Sequence, residues 1–115
     1  ESDLVVKCIG EMKMGLFASV EYEKCYGLPN KIKDLKQHKI ITYDNQLAIL
    51  PENQWLLEHA DKANSVLSSD STLNRLKATI SGVGISIQPV IMQQSNPELL
   101  QLFKNIPIPS HKVWL

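Results

Sequence analysis

The chain has 115 residues, 43% of them hydrophobic and 21% charged, and its 12 basic and 12 acidic side chains leave a formal net charge of zero. Folding a chain of this size hides roughly two-thirds of its unfolded surface, so one hydrophobic core can close without disulfides or metal, and the composition is not that of a disordered polymer. No stretch reaches the roughly 20 apolar residues that cross a bilayer, and balanced charge supplies no global field for nucleic acid or an anionic membrane.

The opening Glu1-Ser2-Asp3 has neither the basic segment nor the apolar core of an export signal, and it runs without an initiator Met into Leu4-Val5-Val6. The expectation is a piece of a longer cytoplasmic protein. Leu4 to Ile9, closed by Gly10, reads as a buried strand. Met12, Met14 and Leu16 alternate with Lys13 and Gly15, predicting a second strand that ends near Ala18. Ser19 suits the N-cap of a short helix, with Glu21 in its first turn and Gly27 past its end. After the Pro29-Asn30 break, Ile32 and Leu35 mark one or two further helical turns, and the lysines at 31, 33, 36 and 39 read as a solvated face.

Ile40-Ile41-Thr42-Tyr43 is β-branched and aromatic, hence a strand, and Asp44-Asn45 after it has turn chemistry. Pro51-Glu52-Asn53 opens a helix through Trp55, Leu56 and Leu57 to His59, and Ser65 to Ser68 is the next strand. Ser69, Asp70 and Ser71 all suit an N-cap, after which Leu73, Leu76 and Ile80 recur at helical spacing while Asn74, Arg75 and Lys77 are expected to face away. Gly82-Val83-Gly84 ends that helix: the first glycine supplies a left-handed residue and the second permits a close backbone turn before the strand Ile85-Ser86-Ile87. Pro89 stops it. Asn96-Pro97-Glu98 has the form of a helix start, although Leu99 to Phe103 fits a short strand equally well. Ile106-Pro107-Ile108-Pro109 is held extended by its prolines, and His111 to Leu115 reads as a terminal strand. Strands alternating with short helices predict an α/β domain with a largely parallel sheet.

Chemistry-bearing residues are sparse. Cys8 and Cys25 have no metal or redox spacing and read as two reduced, mostly buried thiols. His38, His59 and His111 form no metal pair or catalytic motif and read as surface or packing residues, as Trp55 and Trp114 read as packing. Gly82-x-Gly84 lacks the third glycine of a dinucleotide fingerprint and ends a helix instead of starting one. No catalytic residue, metal or cofactor is expected. Two clusters qualify as ligand contacts. Thr42-Tyr43-Asp44 lies at the carboxyl end of a strand, where open α/β sheets place ligands. Ser69-Asp70-Ser71 lies at a helix start, where free N–H groups and the dipole favour an anion, with plain capping as the alternative reading.

Several segments in order resemble the effector domain of LysR-type bacterial transcriptional regulators. They are Asp3-Leu4-Val5-Val6-Lys7 to Gly10; Gly15-Leu16-Phe17-Ala18-Ser19 with Tyr22; Asp34-Leu35 and His38 leading into Ile40-Ile41-Thr42-Tyr43-Asp44; Ser69 to Pro89; Ile106-Pro107-Ile108-Pro109; and Val113-Trp114-Leu115. The shared order over nearly the whole chain carries the resemblance. It implies a Rossmann-like subdomain of the type II periplasmic-binding-protein-like fold, with residues 1–115 a fragment of the effector domain. Residues 14–103 would form chiefly the second subdomain, and 3–13 and 105–115 the segments that cross to the first. The implied role is sensing of a small-molecule effector, without enzymatic activity, in a cytoplasmic homo-oligomer that reaches promoter DNA only through a separate N-terminal domain. Family ligand contacts carry over to Tyr43 and Asp44 and to Ser69 and Asp70, and Asp70 stands where the family often has a neutral polar residue, which argues against an anion there. A solute-binding module of transport shares the general fold and is the alternative; a small enzyme or thiol redox protein has no motif in support.

Overall fold

The computed structural model describes residues 12–110. The expected strands at Leu4–Ile9 and His111–Leu115, and with them Cys8, His111 and Trp114, lie outside the described residues. Strand β1 (Met14–Ser19) leads into helix α1 (Val20–Tyr26). Ser19 caps it by accepting from the Tyr22 N–H at 3.2 Å, and Gly27 ends it at φ 73°. A 3₁₀ helix (Ile32–Gln37) and β2 (Ile40–Tyr43) follow, then a second 3₁₀ turn (Asn45–Ile49) and α2 (Pro51–His59), with Pro51 at the first helical position. A short 3₁₀ turn (Lys62–Asn64) leads into β3 (Ser65–Ser69), after which come α3 (Thr72–Ile80), β4 (Ser86–Pro89), the single turn α4 (Met92–Ser95) and β5 (Leu99–Leu102).

β1 lies between β4 and β5 and is antiparallel to both, whereas β2 and β3 pair in parallel. A parallel bridge from Ile40 to Ile85 joins the two groups, through Ile41 N–H to the Ile85 carbonyl at 2.8 Å and Ile85 N–H to the Lys39 carbonyl at 2.9 Å. The spatial order is therefore β3-β2-β4-β1-β5. The largely parallel sheet expected from the alternation of elements is thus mixed. Strands covered on both faces have the same near-continuous apolar sequence in either direction, so the apolar pattern of β1 carries no directional signal.

Alternate residues of β1 feed two cores. Leu16 and Ala18 join Ile40, Ile85, Ile87, Leu102 and the α2 residues Trp55 and Leu56, while Phe17 meets Leu76 and Leu99 under α3. The segment at Leu99 resolves as a strand, and the helical turn precedes Asn96: its N–H and side-chain Nδ2 both donate to the Met92 carbonyl and end α4. Cys25, expected to be mostly buried, is exposed, because α1 rests on the core through Tyr22 alone. Trp55 is 8% exposed and does pack in the core.

Candidate functional site

The parallel strands all point the same way, so β2, β3 and β4 finish at one edge of the sheet with Tyr43, Ser69 and Pro89. Antiparallel β1 starts there, since Met14 is opposite Pro89. Helices α2 and α3 begin at the same edge, one on each face of the sheet, and each brings a buried ionisable residue in its first turn or just beyond.

From α2 comes Glu52, fully buried, whose Oε2 accepts from the Tyr43 hydroxyl at 3.1 Å. From α3 comes Arg75, 3% exposed, whose guanidinium lies 4.0 Å over the Tyr43 ring. Arg75 Nη1 donates to the Ser69 carbonyl at 2.8 Å and Nη2 to the Thr72 hydroxyl at 3.2 Å. Asn53 adds a third tie: its Oδ1 accepts from the Tyr43 N–H at 3.0 Å while Nδ2 donates to the Ala48 carbonyl. Burial, followed by the field of Glu52, pushes the Tyr43 phenol well above its ordinary value and keeps it a neutral donor. Burial also lowers Arg75, against the opposing fields of Tyr43, Glu52 and Asp70.

Arg75 was expected to face solvent with Asn74 and Lys77, and Leu73 to face the core. The structure reverses the two. The buried face of α3 runs through Arg75, Leu76 and Thr79, and Leu73 is 57% exposed. Counting the apolar residues of a helix misplaces its inward face when the neighbouring group needs an ion, because a guanidinium stacked on a ring and bonded to a carbonyl can be buried.

A pocket of about 340 Å³ opens beside Tyr43 and Arg75. It is lined by Met12, Met14, Ile87, Pro89 and Met92, together with Leu47 and Leu50 from the segment after β2. Thr72 completes the lining. The six residues singled out from sequence divide around this point. Tyr43 lines the pocket itself. Thr42 turns the other way, its hydroxyl held between Ser65 and Ser68 at 2.8 and 2.6 Å, and with Asp44 it lines a second concavity of about 350 Å³. Asp70 is exposed and accepts from Asn45 Nδ2 at 2.9 Å across a third, open depression. Ser71 is the cap of α3, accepting from the Asn74 N–H at 3.1 Å, and Ser69 Oγ accepts from the Ser71 N–H. Capping thus belongs to Ser71, not to Asp70.

Sequence reasoning missed Arg75, Glu52 and the methionines. One signal was available: the chain has three methionines, and all three line this pocket. Among the described residues no cluster of three or more His, Cys, Asp or Glu side chains could hold a metal ion.

The full-length virulence activator AphB of Vibrio cholerae, described as a member of the LysR-type family, superposes with a TM-score of 0.66 at 21% identity, over 88% of this chain and 36% of that one. The regulatory domain of CrgA, a LysR-type transcriptional regulator from Neisseria meningitidis, gives 0.65 at 15% identity, over 88% and 52%. The effector domain of the transcriptional regulator AmpR of Pseudomonas aeruginosa gives 0.59 at 20%, over 89% and 48%. The chain has the LysR-type regulatory-domain fold. That is the type II periplasmic-binding-protein-like α/β fold expected from the sequence. The chain spans about a third to a half of the length of the structures it matches. No protein-family model and no curated protein sequence matches it. No helix among the described residues is long and apolar enough to cross a membrane. In the LysR-type regulatory fold as this chain builds it, the edge that carries the strand ends also carries the Tyr43–Arg75 pocket.

Proposed function

We propose that the chain is the effector-sensing part of a LysR-type transcriptional regulator, a binding module without enzymatic activity. The observation that carries the reading is the convergence, at one sheet edge, of strand ends and helix starts around a pocket whose polar groups are already oriented by Glu52, Asn53 and Ser69. On this reading residues 14–103 are chiefly the second subdomain of the effector domain, and 3–13 and 105–115 cross to the first. The effector contacts are drawn from Thr42, Tyr43, Asp44, Ser69, Asp70 and Ser71. The whole protein would be a cytoplasmic homo-oligomer that contacts promoter DNA through a domain other than this one. A ligand acts in such a protein only by favouring one arrangement of subdomains over another. The solute-binding alternative of transport draws no support from the structural neighbours.

The test pairs stability with response. In the whole regulator, Asp44→Ala and Asp70→Ala should each alter the effector response, while melting changes little for the Asp70 variant and falls modestly for the Asp44 variant, which loses the cap accepting from the Asn45 N–H. Asp70 gives up one exposed hydrogen bond with Asn45, worth within about 0.5 kcal/mol. Parental effector affinity and parental transcriptional response in both variants would remove these residues from the site.

A further inference from the structure

Among the described residues, Arg75 is the one in the pocket wall that carries a charge at neutral pH; Glu52 and Asp70, the acids nearest in effect, do not line it. The two hydrogen bonds of Arg75 go to neutral oxygens, the Ser69 carbonyl and the Thr72 hydroxyl. Its Nε is buried and has no acceptor among the described residues. A buried guanidinium with a spare donor is an unfinished anion site. The rest of the wall is soft and apolar. Met12, Met14 and Met92 are all only half-buried although thioether chains normally fill gaps in cores, and methionine surfaces adapt to the shape of what they bind. At roughly 30 Å³ per water-sized group, a volume near 340 Å³ holds on the order of ten heavy atoms.

From this we infer that the pocket takes a compact, mainly hydrocarbon carboxylate, its apolar body against the three methionines and its carboxylate against the Arg75 guanidinium. The inference rests on the effector-sensing reading and narrows it to one ligand class. Tyr43 supports the arrangement without competing for the ligand, because its hydroxyl is already given to Glu52 and its ring face to the guanidinium.

The three methionines make the pocket its own reporter. In the chain of residues 1–115 labelled with ¹³C at the methionine methyl groups, the three methionines of this sequence all belong to this wall. Titration with cyclohexanecarboxylate should move all three signals saturably, and the neutral isostere cyclohexanecarboxamide should bind roughly tenfold or more weakly. Arg75→Gln should bring the two to similar affinity. Leu47→Trp, which fills the pocket from the half-buried loop side, should abolish both responses and serves where Arg75→Gln does not fold. Absence of a saturable shift, or equal binding of acid and amide by the parent chain, overturns the inference. A polar metabolite such as serine or glucose that raises the melting temperature with the methionine signals unmoved also overturns it, and leaves the sensing reading standing.

Discussion

Tyr43 shows how much one residue at a strand end can organise, since its hydroxyl and N–H both hold α2, through Glu52 and Asn53, and its ring face holds Arg75 of α3. Tyr43→Phe removes the hydroxyl that Glu52 Oε2 accepts, and it should cost about 1–2 kcal/mol, read as a lower urea midpoint with an unchanged slope. Arg75→Leu keeps much of the volume but removes both hydrogen bonds and the cation over the ring, so a larger loss of about 2–4 kcal/mol is expected by the same measurement. A second residue sets a pH dependence. His38 Nδ1 lies 2.7 Å from the Tyr22 hydroxyl, and burial holds its imidazole below the ordinary histidine range against the opposing pull of Asp34. A group whose folded pKa is depressed binds fewer protons folded than unfolded. Its contribution is present above about pH 6.5 and is lost as pH falls toward its folded value. Urea midpoints should therefore drop between pH 7.5 and pH 5.5, and His38→Gln, which can still accept from Tyr22, should flatten that drop. Of these residues, Tyr43 was legible as a strand end with a polar tip. Arg75 and Glu52 were not, because burial of an ion depends on partners that are distant in sequence.

At the scale of elements, local chemistry was the reliable guide wherever the deciding contact is itself local. Ser19 as cap, Gly27 past the end of α1, Pro51 at the start of α2 and Gly82 at φ 86° past α3 all follow from a side chain meeting its own backbone within a few residues. Strand direction and the inward face of α3 depend on contacts made across the fold, and there the reading from periodicity failed. Gly84 falls between the two cases. A close turn was expected from its place after Gly82, and the partner it closes against is β2: a Cβ on Gly84 would lie 3.2 Å from both Ile41 Cγ1 and the Lys39 carbonyl oxygen, and 3.3 Å from the Ile40 carbonyl carbon. Those backbone atoms belong to the bridge that joins the two parts of the sheet, so they cannot yield without loosening it. Gly84→Val is expected to cost about 2 kcal/mol or more, and Gly84→Ala clearly less. Equal urea midpoints for Gly84→Val and the parent chain would show that the bridge tolerates displacement.

For the molecule as a whole, the segments taken in order from Asp3 to Leu115 were sufficient to read the fold, because the order of turns, caps and strand ends survives where individual residues drift. The pocket was less legible: its wall is assembled from β1, β2, β4, α3, α4 and the segment after β2, elements that come together only through the mixed sheet. The same global view yields a prediction about DNA. Neutralising phosphates needs clustered basic residues, and specific reading needs a helix or ribbon that enters a groove. This chain carries no net charge, and its lysines at 31, 33 and 36 are exposed around a 3₁₀ turn with no long helix behind them. The longest helices among the described residues, α2 and α3, spend their inner faces on the sheet and the Tyr43 cluster. The chain by itself should therefore show no sequence-selective DNA binding. A mobility-shift titration at physiological salt, with random DNA as competitor, decides the matter. Selective retention of one duplex over its scrambled counterpart would mean that this module reads DNA directly, and the division of labour proposed above, in which this part senses and another part binds, would not hold.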